Sequence, residues 1–356
     1  MKILFLTRKW PPAVGGMEVY SKELVDELNT LGIEIDLRAL PGRADGRPPT
    51  LAAIILFGLR TALQLVFSRQ RWDAIHGGDL AIWPLAWIAH LKCPNAPVIL
   101  AAHGTDIAFA FRKSLPAHAY RLYISSCTRR FSKTKLIVAA NSEATANLSR
   151  AIGFQDVRVI LLACRPIDAV GEPPEGRYLF FAGRLQVRKG LSWFTRNVLP
   201  HLPEDVRLIV AGPPWDQSES EALDDPRVDY LGPVDQDQLS ILMGGALAVI
   251  VPNLPGPDRF EGFGLIAVEA ASSGAIVLAA DLDGFQSSVI EGQTGQLLEP
   301  GNVVAWNDAV KGVLALDETA LAARKAIAKT TAREAFSWNR VAREMLALYG
   351  NNSASG

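Results

Sequence analysis

Cysteine is scarce: Cys93, Cys127 and Cys164 are the three in 356 residues. Their number is odd and no pair has metal-ligand spacing, which excludes a disulfide framework and a thiolate zinc site and fits reduced thiols inside a cell. A charge bias is missing too, with 36 Lys and Arg against 37 Asp and Glu and a formal net charge of −1. The global attraction of a nucleic-acid-binding protein is therefore absent. No apolar run is long enough to span a bilayer. The most hydrophobic segment, 51–67, contains Arg60 and Gln64 and runs into Arg69-Gln70-Arg71, so it reads as a core helix of an α/β domain in preference to a helix lying on a membrane. The start, residues 1–7, lacks the basic region, long apolar core and cleavage site of a signal peptide, and a cytoplasmic protein is expected.

What is present is enough apolar residue, 49% against 21% charged, to core two domains, and the length exceeds what one core usually holds. Short apolar runs alternate with amphipathic stretches. Residues 2–7, 33–40, 74–76, 97–102, 136–140 and 157–162 read as strands of a first sheet. The stripe Tyr20, Leu24, Leu28 and Leu31 marks a helix ended by Gly32, and Asn141-Ser142 caps another that closes at Gly153. After a broken Pro/Gly-rich stretch, 165–177, strands recur at 178–182, 207–211, 247–251, 275–280 and 296–298. This rhythm predicts two parallel, doubly wound sheets. In such sheets, chemistry collects at the carboxyl ends of the strands.

Four motifs stand at those ends. Gly15-Gly16 lies between the first strand and first helix, where backbone can face an anion. His103-Gly104-Thr105-Asp106 follows the strand 97–102. Gly183-Arg184 through Lys189-Gly190 follows the first strand of the second half, and its two cations suit a diphosphate. The stretch Glu261-Gly262-Phe263-Gly264-Leu265-Ile266-Ala267-Val268-Glu269 joins a loop carboxylate, a glycine-rich helix start and a second carboxylate about a turn into the helix. Phosphate suits the helix start, neutral hydroxyls suit Glu261, and a vicinal diol such as ribose suits Glu269. Together these describe a nucleotide-sugar. Gly262, Gly264 and Ala267 also satisfy a loose dinucleotide pattern, but eight residues separate Asn253 from Gly262, whereas that pattern needs a tight turn after a first strand. Asp281 and Asp283 form an acidic pair beyond the motif and read as something other than a metal site.

As an ordered set, these four motifs, with the closing stretch Phe336-Ser337-Trp338-Asn339-Arg340-Val341 through Leu348-Tyr349, resemble the retaining family 4 glycosyltransferases of GT-B fold. The resemblance covers nearly the whole chain. It implies an α/β protein with two Rossmann-like domains facing across a cleft, 1–165 on the acceptor side and 166–335 binding the nucleotide-sugar, with a helix at 336–350 returning to the first domain. It further implies that Arg184 and Lys189 hold the diphosphate and stabilise its departing charge, so that neither metal nor cofactor is required. Glu269 would bind the ribose, Glu261 the sugar hydroxyls, and the backbone of Gly262, Phe263, Gly264 and Leu265 the sugar or phosphate. Gly15 and Gly16 would belong to the donor site and His103 would face the sugar ring, with Asp106 behind it. No protein base is assigned; in similar enzymes the leaving phosphate oxygen takes the acceptor proton.

The implied activity is transfer from a UDP- or GDP-sugar to a lipid-linked or cell-surface glycan acceptor, in polysaccharide or lipopolysaccharide synthesis, with peripheral membrane contact between Leu51 and Trp87. The alternatives are a non-catalytic nucleotide-sugar or glycan-binding subunit and an NAD(P)-dependent oxidoreductase. Two departures touch the site. Ala163-Cys164-Arg165-Pro166 stands where relatives often carry Asn-Gly, and the loop 254–260, with Pro255, Gly256, Pro257 and Asp258, replaces a shorter Tyr-containing approach.

Overall fold

The computed structural model describes residues 1–13, 15–256 and 260–350. The chain divides into two compact units, one of Met1–Leu162 together with the segment from Trp338 onward, the other Ala163–Ser337. In the first, β1 (Lys2–Trp10), β2 (Glu34–Pro41), β3 (Ala74–Gly77), β4 (Val98–Ala102), β5 (Leu136–Ala140) and β6 (Val157–Val159) form a sheet in the order β2-β1-β3-β4-β5-β6. In the second, β7 (Tyr178–Ala182), β8 (Arg207–Ala211), β9 (Val228–Gly232), β10 (Ala248–Val251), β11 (Val277–Ala280) and β12 (Gly295–Leu298) run β12-β11-β10-β7-β8-β9. Adjacent strands pair in parallel, as in β4 against β5 from Val98↔Leu136 to Ala102↔Ala140. Central strands such as VILAA in β4 and AVIV in β10 are buried at every position, because helices cover both faces of a parallel sheet. The predicted GT-B class, two Rossmann-like α/β units, is the observed one.

Strand order reverses beside β1 in the first sheet and beside β7 in the second. At such a switch point neighbouring connections leave in opposite directions and open a crevice at the strands' carboxyl ends. The loops after β1 and β3, and those after β7 and β10, therefore converge within their own units, and every motif singled out above is on or beside one of them.

The local devices behave as their residues dictate. Ser142 caps the helix Glu143–Ile152 by accepting from the Thr145 N–H, and Gly153 closes it at φ 113°. The closing helix Trp338–Leu348 packs on the helix Gly16–Thr30. Asn339 donates to Glu27 at 3.0 Å, Arg340 to the Leu161 carbonyl at 2.7 Å, and the Tyr349 hydroxyl meets His76 Nδ1 at 2.8 Å. His76 also faces the Tyr20 hydroxyl through Nε2, and burial, with His103 nearby, drives its pKa down to about 3, so it is neutral. The unit boundaries fall at 162/163 and 337/338, against 165/166 and 335/336 in the sequence reading. The broken stretch 165–177 is tied down at several points: Asp168 receives Arg333 at 2.6 Å and Lys329 at 3.1 Å, the Ile167 carbonyl accepts from the Ser240 hydroxyl at 2.8 Å, and Arg177 donates to Asp205 at 3.1 Å.

Two elements depart from expectation. The helix Leu51–Phe67 has the predicted limits, yet of its residues only Thr61 and Leu65 are buried. Leu51, Leu56, Leu59 and Phe67 are 62–79% exposed. It is a surface helix with an apolar outer face, which reverses the core reading. The strand β9 was not foreseen: Tyr230 and Leu231 are exposed, and its pairing with β8 shifts register between Val210 and Ala211. As an edge strand it lacks the apolar run that marks its neighbours.

Candidate functional site

In the second unit, the loops after β7 and β10 meet through charge. Lys189 donates to Glu261 Oε2 at 2.8 Å and Arg188 to the same oxygen at 3.0 Å. No described group donates to the other oxygen, Oε1. All three side chains are largely buried, with 15%, 25% and 19% of Lys189, Arg188 and Glu261 exposed. Burial pushes the Glu261 pKa up, but Lys189 and Arg188 outweigh it and hold the carboxyl below its ordinary value. Burial likewise pulls Lys189 down, against Glu261. The carboxylate and the cations each favour the other's charged form against the cost of burial. The loops are also joined by backbone, the Leu254 N–H donating to the Arg188 carbonyl. Gly190, at φ 73°, lies against Pro252 O so closely that a Cβ would collide with it. Pro257, Asp258 and Arg259 lie outside the described residues.

The helix Leu265–Ser272 begins at Gly264, which is left-handed at φ 80° and ψ 50°. A Cβ there would strike the Phe285 ring, so the conformation and the packing both demand glycine. The loop before it is held by Asp283, whose carboxylate accepts the Glu261 N–H at 3.2 Å, and by the Gly284 N–H donating to the Glu261 carbonyl at 3.0 Å. Asp281 instead accepts from Gln286 at 2.7 Å. The two aspartates thus serve separate hydrogen bonds, and Asp283 positions the Glu261 loop. Phe263 is buried against Phe336. Glu269 projects from the second turn; its carboxylate receives no hydrogen bond from the described residues, and burial raises its pKa. It is an acceptor without a donor.

Arg184 stands apart from this cluster. It is exposed and its guanidinium lies over the Trp215 ring, 5.4 Å from the centroid. Trp215 belongs to the connection after β8 and borders an open groove of about 710 Å³ that Gln186, Arg188, Asp216 and Gln217 also line. The sequence reading named Arg184 and Lys189 but neither Arg188 nor Trp215. Arg188 sits inside the motif and its charge was a usable signal; Trp215 carried none.

In the first unit, the loops after β1, β3 and β4 meet similarly. Arg8 donates through Nε to both oxygens of the buried Asp79, each at 3.1 Å. His103 Nε2 lies 2.8 Å from the Gly78 carbonyl; since a carbonyl only accepts, Nε2 carries a proton and donates. Asp106 Oδ1 accepts the N–H groups of His103 and Ile107, both at 2.9 Å, while Oδ2 is buried without a partner among the described residues. Burial raises the Asp106 pKa, and His103 opposes it. Asp106 therefore stands behind His103. At the start of the helix Gly16–Thr30, the buried Glu18 is held by Lys9 at 3.5 Å, and its Oε2 lies where a Gly15 Cβ would approach within 2.5 Å. The anion beside Gly15 and Gly16 is thus the chain's own carboxylate.

Comparison with known proteins matches residues 14–163 to the family model described as Glycosyltransferase Family 4 and residues 176–315 to that described as Glycosyl transferases group 1. Among curated proteins, the chain is 34% identical over 191 residues to a D-inositol 3-phosphate glycosyltransferase of Xylanimonas cellulosilytica, a match spanning 51% of this chain and 44% of that protein. The chain thus spans about half the length of that relative. It is 28% identical to the protein of the same description from Corynebacterium urealyticum, across 94% of this chain and 90% of the other. A solved structure of Anabaena HepE in complex with UDP and glucose superposes with a TM-score of 0.67 at 18% identity, covering 98% of this chain and 99% of that one. At that identity the likeness is one of fold.

Proposed function

Because the chain belongs to the family 4, group 1 glycosyltransferases, we propose that it transfers a sugar, with retention, from a nucleotide-diphospho-sugar to a glycan or lipid-linked acceptor. The carrying observation is the cluster of Lys189, Arg188 and Glu261 beside the glycine-started helix that bears the unpartnered Glu269. Its chemistry matches a donor part by part. Lys189, Arg188 and Arg184 neutralise the diphosphate and stabilise the charge that grows as it leaves. The free N–H groups after Gly264 receive phosphate or sugar oxygens. Glu261 Oε1 accepts from a sugar hydroxyl and Glu269 from the ribose diol. UDP is the favoured donor carrier, in line with the UDP complex of HepE, and an inositol phosphate is an acceptor class suggested by the names of the curated relatives.

Retention by double displacement would need a carboxylate nucleophile at the anomeric carbon. Glu261 is committed to two cations, a poor state for that role. A reaction on one face, with the leaving phosphate oxygen accepting the acceptor proton, fits these residues better. His103 is assigned to face the reacting sugar, with Asp106 behind it, rather than to act as base. The cations make a metal unnecessary on this reading. The helix Leu51–Phe67 is assigned to contact an anionic membrane from its exposed apolar face. No described helix is long and apolar enough to cross a membrane.

The test is a transfer and hydrolysis screen with UDP- and GDP-sugars against inositol phosphate and lipid-linked acceptors. Turnover with inverted anomeric configuration would overturn retention. Binding of a nucleotide-sugar without turnover across the panel would favour the non-catalytic reading.

A further inference from the structure

We infer that Trp215 is a positioning residue for Arg184, holding the guanidinium ready for the donor's diphosphate; this rests on the nucleotide-sugar reading above. Arg184 needs such a device. It is exposed, and among the described residues its guanidinium has no hydrogen-bond or ion-pair partner and lies over the Trp215 ring. An arginine with no partner samples many rotamers, and a ligand must then order it. Its neighbours Lys189 and Arg188 are already fixed on Glu261, so Arg184 is the cation in the loop that no carboxylate among the described residues holds.

The ring is itself held in place. Its loop is tied to the Arg184 loop by a ladder: the Leu185 N–H donates to the Pro213 carbonyl at 3.0 Å and the Asp216 N–H to the Leu185 carbonyl at 2.9 Å. The Val187 N–H donates to Asp216 Oδ2 at 3.0 Å. Residues 213–216 therefore move with residues 185–187. The two loops also meet at Gly212, at φ 140°, where a Cβ would collide with the Gly183 carbonyl. Yet Trp215 remains 63% exposed. An indole anchored by its backbone and left in solvent contributes little to the core, and what it touches is a guanidinium. The aromatic face attracts the cation without neutralising it, so Arg184 keeps its full charge and all its N–H donors for a phosphate. A carboxylate in the same position would compete with the ligand.

The experiment measures UDP and UMP binding by calorimetry for the wild type, Trp215→Phe, Trp215→Leu, Arg184→Ala and the Arg184→Ala/Trp215→Leu double variant, with GDP and pyrophosphate as further probes of the wild type. Trp215→Leu, which keeps bulk but removes the aromatic face, is expected to weaken UDP about two- to sixfold, the size of an exposed cation–π contact. UMP, which lacks the second phosphate, should be affected less, Trp215→Phe should restore most of the loss, and Trp215→Leu should cost nothing further once Arg184 is gone. Equal losses for UMP and UDP, or an undiminished loss in the Arg184→Ala background, would mean that Trp215 touches the ligand itself and would overturn the assignment while leaving the donor reading intact. If the wild type binds neither UDP, GDP nor pyrophosphate, the donor reading fails and this inference falls with it. Thermal melts of each variant separate loss of fold from loss of positioning.

Discussion

Lys189 Nζ and Glu261 Oε2 are 2.8 Å apart although 72 positions separate the two residues. The switch point between β7 and β10 brings them together. A carboxylate keeps the cations in place, and on the proposed donor reading a diphosphate would share them without their having to be reordered.

Replacing Glu261 by Gln should therefore separate stability from binding. Lys189 and Arg188 would be left facing each other in a largely buried loop, at a cost of about 1–3 kcal/mol in unfolding free energy. The Glu261 carboxyl lies below its ordinary value of 4.5. Its contribution is present above that value and fades as pH falls through the folded pKa. The difference between wild type and Glu261→Gln should thus be largest near neutrality and shrink in acid. UDP binding should be spared while transfer falls, because the cations remain and a sugar-hydroxyl acceptor is lost. A parallel loss of UDP affinity in calorimetry would remove Glu261 from the sugar-binding role.

Glu269 gives the opposite pattern. Burial raises its pKa above 4.5, so ionising it costs stability above that pH, and Glu269→Gln should melt higher than wild type near neutrality with the gap closing in acid. Ribose hydroxyls favour the ionised form. UDP affinity of the wild type should therefore rise with pH until the free carboxylate is fully ionised and then level off, whereas Glu269→Gln should be flatter. Glu269→Ala should weaken UDP by about 1.5–3 kcal/mol, the value of a hydrogen bond to a charged group. Unchanged affinity would assign the ribose elsewhere.

Activity should survive excess EDTA, since Lys189, Arg188 and Arg184 supply the positive charge that a divalent ion would otherwise bring. Asp281 and Asp283 are each engaged, with Gln286 and with the Glu261 N–H. Loss of transfer in chelator, restored by Mg²⁺ or Mn²⁺, would contradict this.

The sequence made the sheets legible wherever strands are buried on both faces. β5, β7 and β8 have the predicted limits because apolar runs closed by Asn141, Gly183 and Gly212 admit few other readings. β9 escaped because an edge strand has polar neighbours and no such run. The site was legible where glycine and charge coincide, at Gly190, Gly264, Lys189 and Glu261. It was not legible where a role depends on a partner far away in sequence. Nothing around Trp215 announces Arg184, and nothing around Asp283 announces the Glu261 N–H that it accepts. Side-chain orientation was the remaining gap: the segment 51–67 is apolar nearly all round, so its composition gives no clue to which side meets the core.

That helix supports the last prediction. Its limits, Leu51–Phe67, enclose exposed Leu56, Leu59, Leu63 and Phe67, and no acidic residue stands between Asp45 and Asp73. Arg60 and Arg69 are exposed on the same segment. Arg71 is partly engaged, donating to the Lys92 carbonyl at 2.9 Å, and Trp72 is buried with its indole N–H on Asp36 at 3.0 Å. The apolar contact thus belongs to the leucines and Phe67, not to the tryptophans beyond. A surface helix of this kind binds anionic lipid by combining insertion of its apolar face with about 1 kcal/mol for each cation near the surface. Wild-type protein should co-sediment at low salt with vesicles rich in anionic lipid and poorly with neutral ones. Leu59→Gln with Phe67→Gln should weaken sedimentation at any salt, because insertion is not screened, whereas Arg60→Glu with Arg69→Glu should weaken it most at low salt, where Coulomb attraction is long-ranged. Both pairs lie on an outer face and should leave UDP binding and the melting temperature close to wild type. Wild-type protein that stays in the supernatant with anionic vesicles at low salt would show that this apolar face serves something other than a membrane.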